Sequence, residues 1–327
     1  MRVVVTGGAG FLGSHLCEAL LERGDQVVCV DDLSTGKLSN IESLIADPSF
    51  VFVERDVALG LDIDYSVDAV AHLASPASPP DYLLRPLQTL RTCSRGTEHA
   101  VSLAKRHGAR FVLASTSEVY GSPALHPQPE EYWGNVNPIG PRSVYDEGKR
   151  YAEALTSAFR RAHDVDTGIV RIFNTYGPRM DAGDGRVVST FISQALAGEP
   201  LTVHGDGSQT RSFCYVDDLV RGLLSMIDST EPGPVNLGNP QEYSVLELAS
   251  IVRRMTGSTS PIRHHGLPQD DPPRRRPVIE RAAQSLGWSP KTDIEDGIER
   301  TITWFLDEGG ARRPRRAATA DRAPIME

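Results

Sequence analysis

The chain has 327 residues, 39% of them hydrophobic, enough apolar material for the core of one large or two modest domains. Its net charge of −9 and pI near 5.5 argue against a general nucleic-acid or anionic-membrane surface, because those partners attract basic faces. Four widely spaced cysteines without a CxxC pair predict neither a disulfide framework nor a metal site. No signal-peptide pattern or apolar run of transmembrane length occurs, which favours a cytoplasmic protein.

Short apolar runs alternate with helix-like segments in the first half of the chain. Strands are predicted at residues 3–6, 26–30, 50–53, 69–73 and 111–114, and helices at 13–23, at 89–106 and from Tyr145 toward residue 159. Strand, helix and strand repeated in this way imply right-handed crossovers and a parallel sheet. The predicted fold class is α/β, doubly wound.

The composition and the predicted secondary structure of the sequence change after residue 177. Glycine and proline become more frequent, with short strands at 201–203 and 235–237 and helices at 188–197 and 245–255. We expect a first domain at 1–176 and a smaller α/β region at 177–308, with some crossing over between them. The segment 309–327 is rich in Gly, Pro, Ala and Arg and is expected to be poorly ordered.

A glycine-rich turn stands between the first predicted strand and the first predicted helix. Residues 3–16 read VVVTGGAGFLGSHL, with Gly7, Gly10 and Gly13 at the spacing GxxGxxG. Such glycines permit a tight turn and a close backbone approach to a pyrophosphate, while the helix N-terminus offers unpaired N–H groups to the anion. The pattern predicts a dinucleotide phosphate site that also includes Phe11 and Leu12.

Two carboxylates close the second predicted strand. Asp31 and Asp32 follow VVCV at roughly the spacing at which an acidic residue meets the adenosine ribose. A carboxylate there repels a 2′-phosphate, and we expect no nearby arginine to reverse that preference, so NAD is predicted over NADP. Further cofactor contacts are predicted after these carboxylates and at the ends of the third and fourth strands, at Ser34, Thr35, Gly36, Asp56, Val57, Leu73, Ala74 and Ser75.

Tyr145 and Lys149 form the string YDEGK at the start of a predicted helix. Their spacing of four puts both side chains on one helical face, so that an ammonium near the phenol lowers its pKa from the usual value of about 10. A tyrosine tuned in this way takes the proton from an alcohol while NAD takes the hydride. Such a pair is common by chance, and its place after a dinucleotide-binding half is what favours a catalytic role.

Several strings of this sequence resemble a known family. TGGAGFLG, the YxxxK pair and the hydroxyl of Thr116 at a strand end are similar to the extended short-chain dehydrogenase/reductases, Rossmann-type enzymes that act on nucleotide sugars. Within that group, long strings as far as about residue 306 resemble the UDP-glucuronate decarboxylases. These strings are HLASPASPP (72–80), LASTSEVYG (113–121), NPIGPRSVYDEGKR (137–150), RIFNTYGPRM (171–180), DGRVVSTFI (184–192) and GDGSQTRSFCYVDDL (205–219).

The resemblance implies a reaction that starts and ends with bound NAD+. Tyr145, supported by Lys149 and Thr116, deprotonates the C4 hydroxyl of UDP-glucuronate as hydride passes to NAD. The resulting β-keto acid loses CO2, and C5 is then protonated, with Glu118 or a water that it holds as candidates. Hydride finally returns to C4 and gives UDP-xylose.

Ser117 distinguishes a decarboxylase from a dehydratase. In related sugar 4,6-dehydratases the triplet at residues 116–118 resembles Thr-Asp-Glu, in which the acid protonates a departing hydroxyl. Serine is a poor acid, so dehydration loses its proton donor, whereas decarboxylation needs none. The retained Glu118 disfavours a 4-epimerase. Two further hypotheses are release of the 4-keto pentose and a non-catalytic NAD-sensing protein, the second of which the intact Tyr145, Lys149 and Thr116 disfavour.

A protein with a net negative charge that binds a diphosphate and a uronate needs positively charged side chains at the binding site. Arg186, Arg211 and Arg275 are the candidates, because guanidinium groups pair with phosphate and carboxylate. The resemblance implies that Arg275 is a partner of the reacting carboxylate, and the run 274–276 leaves its register open by one residue. The resemblance also implies cofactor contacts at Arg91, Thr175 and Arg186. It implies substrate contacts at Asn174, Val188, Ser189, Thr190, Phe191, Ile192, His204, Gly205 and Gln209.

A few positions depart from the family pattern. His204 stands where tyrosine is usual, which puts stacking on the uracil in doubt, and Cys93 replaces an asparagine. His72 is predicted to be a packed or hydrogen-bonded histidine rather than a base. The family also implies a homodimer through the helices at residues 89–106 and 145–161.

Overall fold

The computed structural model of the chain describes residues 1–267 and 274–307. The predicted disordered segment 309–327 lies outside the described residues. The strands are β1 Arg2–Thr6, β2 Gln26–Asp31, β3 Phe50–Glu54, β4 Ala69–His72, β5 Arg110–Thr116, β6 Thr167–Ile172, β7 Thr175–Tyr176, β8 Leu201–His204, β9 Thr210–Ser212, β10 Cys214–Tyr215, β11 Val235–Leu237, β12 Glu242–Ser244, β13 Ile262–His265 and β14 Arg274–Arg275.

The α-helices are α1 Phe11–Glu22, α2 Pro79–Leu84, α3 Pro86–Arg91, α4 Thr97–His107, α5 Ser143–His163, α6 Val187–Leu196, α7 Val216–Asp228, α8 Val245–Thr256, α9 Glu280–Leu286 and α10 Ile294–Asp307. Within the described residues, no helix is both long enough and apolar enough to cross a membrane.

A parallel sheet of seven strands forms the centre of the described structure, in the order β11-β6-β5-β4-β1-β2-β3. Its inner strands are continuous valine-rich runs because helices cover both faces, and Val3, Val4 and Val5 of β1 are fully buried. The predicted doubly wound, Rossmann-type fold is confirmed. The strand order reverses between β1 and β4, and ligands of such sheets bind outside the carboxyl ends of the strands at this point.

Smaller sheets pack beside the carboxyl edge of the main sheet. Their orders are β12-β9-β14, β13-β8 and β10-β7. β11 comes late in the chain, yet it pairs with β6 at the edge of the main sheet, with Val235 opposite Val170. α8 begins with a capping box, in which Ser244 and Glu247 satisfy each other's backbone N–H groups. The late part of the chain therefore adds a strand to the main sheet as well as forming these smaller sheets.

The helix predicted at residues 89–106 is interrupted. α3 ends at Arg91, a π-helical turn covers Thr92–Gly96, and α4 begins at Thr97. Gly96 packs closely here, since a Cβ at this residue would lie 2.8 Å from Cγ2 of Val57. A turn of this type is often found at functional sites. The first residue of this π-helical turn, Thr92, lines the cavity that is described in the next subsection.

Candidate active site

A cavity of 680 Å³ opens at the carboxyl ends of the main-sheet strands. Its volume lies within the range of roughly 300–1,000 Å³ that is typical of ligand-binding cavities. One wall carries the glycine-rich turn, and the opposite wall carries the small sheets. The predicted residues that line it are Gly7, Gly10, Phe11, Leu12, Gly13, Asp31, Asp32, Ser34, Thr35, Asp56, Val57, Leu73, Ala74, Ser75, Thr116, Ser117, Glu118, Tyr145, Lys149, Asn174, Thr175, Arg186, Val188, Thr190, Phe191, His204, Gln209, Arg211 and Arg275.

The glycine-rich turn is packed so closely that side chains would not fit. A Cβ on Gly13 would lie 2.1 Å from the carbonyl oxygen of Gly7, and a Cβ on Gly7 would lie 2.7 Å from the backbone nitrogen of Ala74. Gly7 also has φ +71°, a conformation that favours glycine. The turn leads into α1, whose first N–H groups have no side-chain cap. These features leave a cradle for a pyrophosphate at the helix N-terminus.

Asp31 and Asp32 stand at the end of β2, and both are held by hydrogen bonds. Asp31 accepts from the backbone N–H of Ala9 at 3.0 Å and of Leu33 at 2.8 Å, so it braces the glycine-rich turn. Asp32 accepts from the hydroxyl of Ser34 at 2.6 Å. Burial raises the pKa of Asp31, while its backbone hydrogen bonds oppose that change. Both carboxyls line the cavity and can accept from ribose hydroxyls.

The expectation that no arginine lies near these carboxylates is wrong. Arg55 follows β3 and lines the same part of the cavity, and its backbone N–H donates to the carbonyl of Asp31. Its guanidinium lies 3.6 Å from Asp62, so that carboxylate competes for its charge. The closed cradle and the two carboxyls of β2 nevertheless fit NAD, which these residues would hold by its pyrophosphate and adenosine ribose.

The carboxyl end of β5 carries three polar residues in a row. Thr116 ends the strand, and its hydroxyl accepts from the backbone N–H of Glu118 at 3.2 Å, which starts a short 3₁₀ turn. Ser117 is buried in that turn, and its backbone carbonyl accepts from the guanidinium of Arg275. The strand end is polar because the turn needs a cap and because all three residues line the cavity.

Tyr145 and Lys149 lie on one face of α5, as their spacing predicted, but the predicted effect on the pKa is reversed. Burial raises the pKa of Tyr145, and the opposing influences are a hydrogen bond with Thr116 and the charge of Arg186. The ammonium of Lys149 donates to the carbonyl of Ala114 at 2.8 Å and lies 5.9 Å from the centre of the Tyr145 ring. Burial also lowers the pKa of Lys149. Burial thus sets the direction of both pKa shifts.

Glu118 lies between two guanidinium groups. Its Oε2 atom accepts from Arg142 at 2.7 Å and from Arg275 at 3.2 Å. Burial alone would raise the pKa of Glu118, but the charges of Arg275 and Arg142 together lower it to about 2. Two guanidinium groups therefore meet at the carboxylate that ends the polar run of residues 116–118. Guanidinium groups pair well with the anionic groups of substrates.

Arg275 belongs to β14 and reaches the end of β5 from a distant part of the chain. It is almost fully buried and donates to the carbonyl of Gly121 at 3.2 Å as well as to Ser117 and Glu118. Its Nε atom is buried without a hydrogen-bond partner among the described residues. Of the run 274–276, Arg275 is therefore the arginine in the cavity, as predicted.

Five predicted site residues do not line the cavity. Arg91 is exposed at the end of α3, because the π-helical turn brings the next side chain, Thr92, to the cavity instead. The other four are Gly36, Ser189, Ile192 and Gly205. Ser189 and Ile192 lie on the buried face of α6, where the Ser189 hydroxyl donates to Asp184 at 2.7 Å.

The sequence analysis missed several cavity residues, and two of them contact the predicted catalytic set. Tyr82 of α2 stacks on Tyr145, with ring centres 5.2 Å apart and planes 5° apart. Arg142 lies at the start of α5 and binds Glu118. Arg142 stands within a string that carries the family resemblance, but only its contact with a residue 24 positions earlier shows its place in the site.

His72 behaves as the sequence predicted. It is fully buried, and its ring nitrogens lie 2.7 Å from the hydroxyl of Thr6 and 3.2 Å from that of Thr97. Burial, with a smaller contribution from the charge of Lys149, lowers the pKa of His72 to about 3, so it is neutral at physiological pH. Within the described part of the chain, no group of three or more His, Cys, Asp and Glu side chains is arranged to hold a metal ion.

The parallel sheet, the glycine cradle and the buried tyrosine–lysine pair define an NAD-binding enzyme of the Rossmann type. The profile of the NAD dependent epimerase/dehydratase family matches residues 3–238, and the chain belongs to that family. The predicted cofactor, NAD, is confirmed by this membership.

Two curated relatives carry the same kind of name. The chain is 52% identical over 307 residues to UDP-glucuronic acid decarboxylase 1 of Xenopus tropicalis, and the alignment covers 94% of this chain and 72% of that protein. It is 52% identical over 305 residues to UDP-glucuronic acid decarboxylase 2 of Arabidopsis thaliana, covering 93% of this chain and 68% of the relative.

A solved structure shares the same fold. It is the UDP-glucuronic acid 4-epimerase of Bacillus cereus in complex with UDP-glucuronic acid and NAD. The TM-score is 0.84 at 29% identity, and the match covers 94% of this chain and 100% of that one.

Proposed function

We propose that this enzyme decarboxylates UDP-glucuronate to UDP-xylose in a reaction that is redox-neutral overall. The observation that carries the proposal is the cluster of Glu118, Arg142 and Arg275 beside Tyr145, which places two guanidinium groups near a tyrosine that can act as base. The curated relatives, which share half of this sequence and are named UDP-glucuronic acid decarboxylases, support it.

Tyr145 is the residue that exchanges a proton with the C4 hydroxyl. Its phenol has a hydrogen bond with Thr116, which orients it, and this hydrogen bond and the charge of Arg186 favour the ionised form against burial. NAD held by the glycine-rich turn and by Asp31 and Asp32 would supply the hydride acceptor for C4 and would return the hydride there after CO2 has left. The stacked ring of Tyr82 covers one face of the phenol and excludes water from it.

The Glu118 cluster would hold the uronate. Arg275 is fixed by three acceptors at the end of β5 and has a buried Nε atom to spare. Oxidation at C4 makes the uronate a β-keto acid, whose C–C bond breaks with its electron pair passing into the ketone. No acid is needed to expel a leaving group, which agrees with the serine at residue 117.

We propose that the two parts of the chain bind different ligands. Residues up to 176 would mainly hold NAD, and residues from 177 onward would mainly hold the nucleotide sugar. Arg211 and His204 lie on the wall of small sheets, where the diphosphate and the uracil would bind. Val188, Thr190 and Phe191 of α6 line the same side.

The decisive experiment is incubation of the purified enzyme with UDP-glucuronate and no added cofactor, followed by measurement of CO2 and of the sugar product by mass spectrometry. We expect loss of one CO2 and the mass of UDP-xylose. A product two hydrogens lighter would show that the 4-keto pentose is released, and an unchanged mass with an inverted C4 would show an epimerase.

We also propose that the enzyme is a homodimer, through a face formed by α2, α3 and α5. Leu84 is 72% exposed and Leu87 is 64% exposed, and Leu83, Leu90 and Tyr151 are exposed on the same helices. Exposed apolar patches of this kind are typical of protein interfaces. Light scattering after size exclusion should give the mass of two chains, and Leu87→Asp should give the mass of one.

A further inference from the structure

A second cavity of 260 Å³ lies next to the catalytic strand end. Glu118 and Arg142 line both cavities, so this pair separates the main cavity from the second one. The remaining lining is mostly polar and consists of Gly121, Ser122, Asn135, Val136, Asn137 and Asp146. A polar cavity of this size can hold several water molecules.

Asp146 is the carboxyl group of this cavity that the proposed mechanism does not yet use. It follows Tyr145 on α5 and is buried, and its Oδ1 atom has no hydrogen-bond partner among the described residues. A buried carboxylate oxygen without a partner is costly, and burial of this kind favours the protonated carboxyl.

The two carboxyls that line this cavity titrate in opposite directions. Burial raises the pKa of Asp146 to about 7, and the negative charges of Glu118 and Glu147 act in the same direction, against Arg142 and Arg275. Glu118 has its pKa lowered to about 2 by the same two arginines, which outweigh its burial. Near neutral pH, Asp146 holds a proton part of the time and Glu118 is ionised.

The proposed reaction consumes one proton in each turnover. CO2 leaves without a proton, the electron pair of the broken C–C bond remains on the sugar, and C5 must gain a proton from the protein or from water. Glu118 faces the cavity but has no proton of its own to give, because its two guanidinium partners keep it ionised.

We infer that Asp146 stores the proton that C5 receives, and that water in the second cavity and Glu118 pass it on. The O–H bond of Asp146 breaks, the proton moves along this path, and a C5–H bond forms with the electron pair that CO2 left behind. Asp146 then regains a proton from solvent. This inference rests on the proposed function.

The test compares Asp146→Asn with Glu147→Gln, which makes the same change at the next residue of α5, where the Glu147 side chain is 38% exposed and pairs with Arg150. Each NAD-loaded enzyme is mixed with UDP-glucuronate in a single turnover, and the absorbance of reduced nicotinamide is followed. For Asp146→Asn we expect an unchanged rise and a decay about 100-fold slower, with a larger solvent deuterium isotope effect on the decay.

The pH profile of the decay gives a second readout. In the wild type the decay should slow above a pH near 7, where Asp146 loses its proton, and this limb should vanish in Asp146→Asn. On the acid side of this limb, Glu147→Gln should decay at the wild-type rate, and its limb should persist at a slightly lower pH because the charge of Glu147 helps to raise the pKa of Asp146. Asp146→Glu, which keeps the carboxyl, should restore much of the decay rate.

Three results would overturn the inference. A wild-type decay rate and pH profile in Asp146→Asn would show that the proton comes from elsewhere. An equal slowing of rise and decay would show that Asp146 only supports the structure. If the wild type itself releases no CO2 and gives no absorbance change, the proposed function fails first and the inference fails with it.

Discussion

The two walls of the main cavity are built in different ways. The wall for the dinucleotide comes from short contiguous segments, with Gly7 to Gly13 in one turn and Asp31 and Asp32 at one strand end. The opposite wall joins residues that are far apart in the chain, such as Glu118 and Arg275, separated by 157 positions. Local geometry fixes the first wall, whereas the second exists only when β14 and the end of β5 pack together.

Because the two walls are built differently, substitutions in them should have different effects. A change in the dinucleotide wall should mainly weaken the binding of NAD, and a change in the sugar wall should mainly affect turnover and its dependence on pH. The following expectations, from the largest effect to the smallest, test whether the two walls behave independently.

Tyr145→Phe should have the largest effect, because Tyr145 is the residue proposed to exchange the proton of the C4 hydroxyl. We expect kcat to fall about 1,000-fold or more, while NAD affinity and the unfolding temperature stay near those of the wild type. The rate of CO2 release measures kcat, and a titration with NADH measures the affinity for the cofactor. The control is Tyr151→Phe, which removes the hydroxyl of a half-exposed tyrosine on the same helix. Near-normal turnover in Tyr145→Phe would contradict the oxidation step.

Arg275→Gln should lower kcat by roughly 100-fold, because it removes a buried, preorganised cation of the sugar wall. Since the charge of Arg275 helps to hold the pKa of Glu118 near 2, its removal should raise that pKa. Protonation of Glu118 would then reduce activity on the acid side, so kcat should fall as pH drops in the variant and not in the wild type. NAD affinity should not change if the two walls are independent.

The control for this change is Arg276→Gln. Arg276 is the next residue, its side chain is 40% exposed, and it lies 3.7 Å from Glu242 rather than against Glu118. It should keep the wild-type pH profile. The same acid limb in both variants would mean that the loss of any local positive charge, and not the contact with Glu118, controls the titration.

Gly13→Ala should weaken NAD binding by roughly 5- to 150-fold. The new Cβ would lie 2.1 Å from the carbonyl of Gly7, and overpacking of this kind costs about 1–3 kcal/mol. Isothermal titration with NAD measures the effect, and kcat at saturating NAD should remain close to normal. Gly266→Ala is the matched control, because no atom lies within 4 Å of its added Cβ.

Ser117→Asp should have the smallest effect on reaction type and should not create a dehydratase. Arg275 contacts this residue and its neighbour Glu118, so a new carboxyl here would be held ionised by the guanidinium and could not donate a proton. Incubation with UDP-glucose and mass spectrometry should show no loss of water. Formation of the 4-keto-6-deoxy sugar would show that residue 117 alone selects between the two reactions.

The sequence by itself determined the fold class and the cofactor, and it predicted the residues of the wall proposed to hold that cofactor. Alternating valine-rich strands and amphipathic helices specify a parallel sheet, and the glycine spacing and the strand-end carboxylates specify a dinucleotide site through contacts between near neighbours in the chain. The pair Tyr145 and Lys149 could be found in the same way, because one helix sets their spacing.

Tertiary structure alone decided the electrostatics of the sugar wall. The choice of Arg275 within a run of three arginines, the pairing of Arg142 with Glu118 and the stacking of Tyr82 on Tyr145 all depend on segments that meet only after folding. Burial also reversed the pKa direction that the spacing of Lys149 and Tyr145 predicted. Burial and long-range contacts depend on how the whole chain packs, and neither the spacing nor the identity of single residues specifies them.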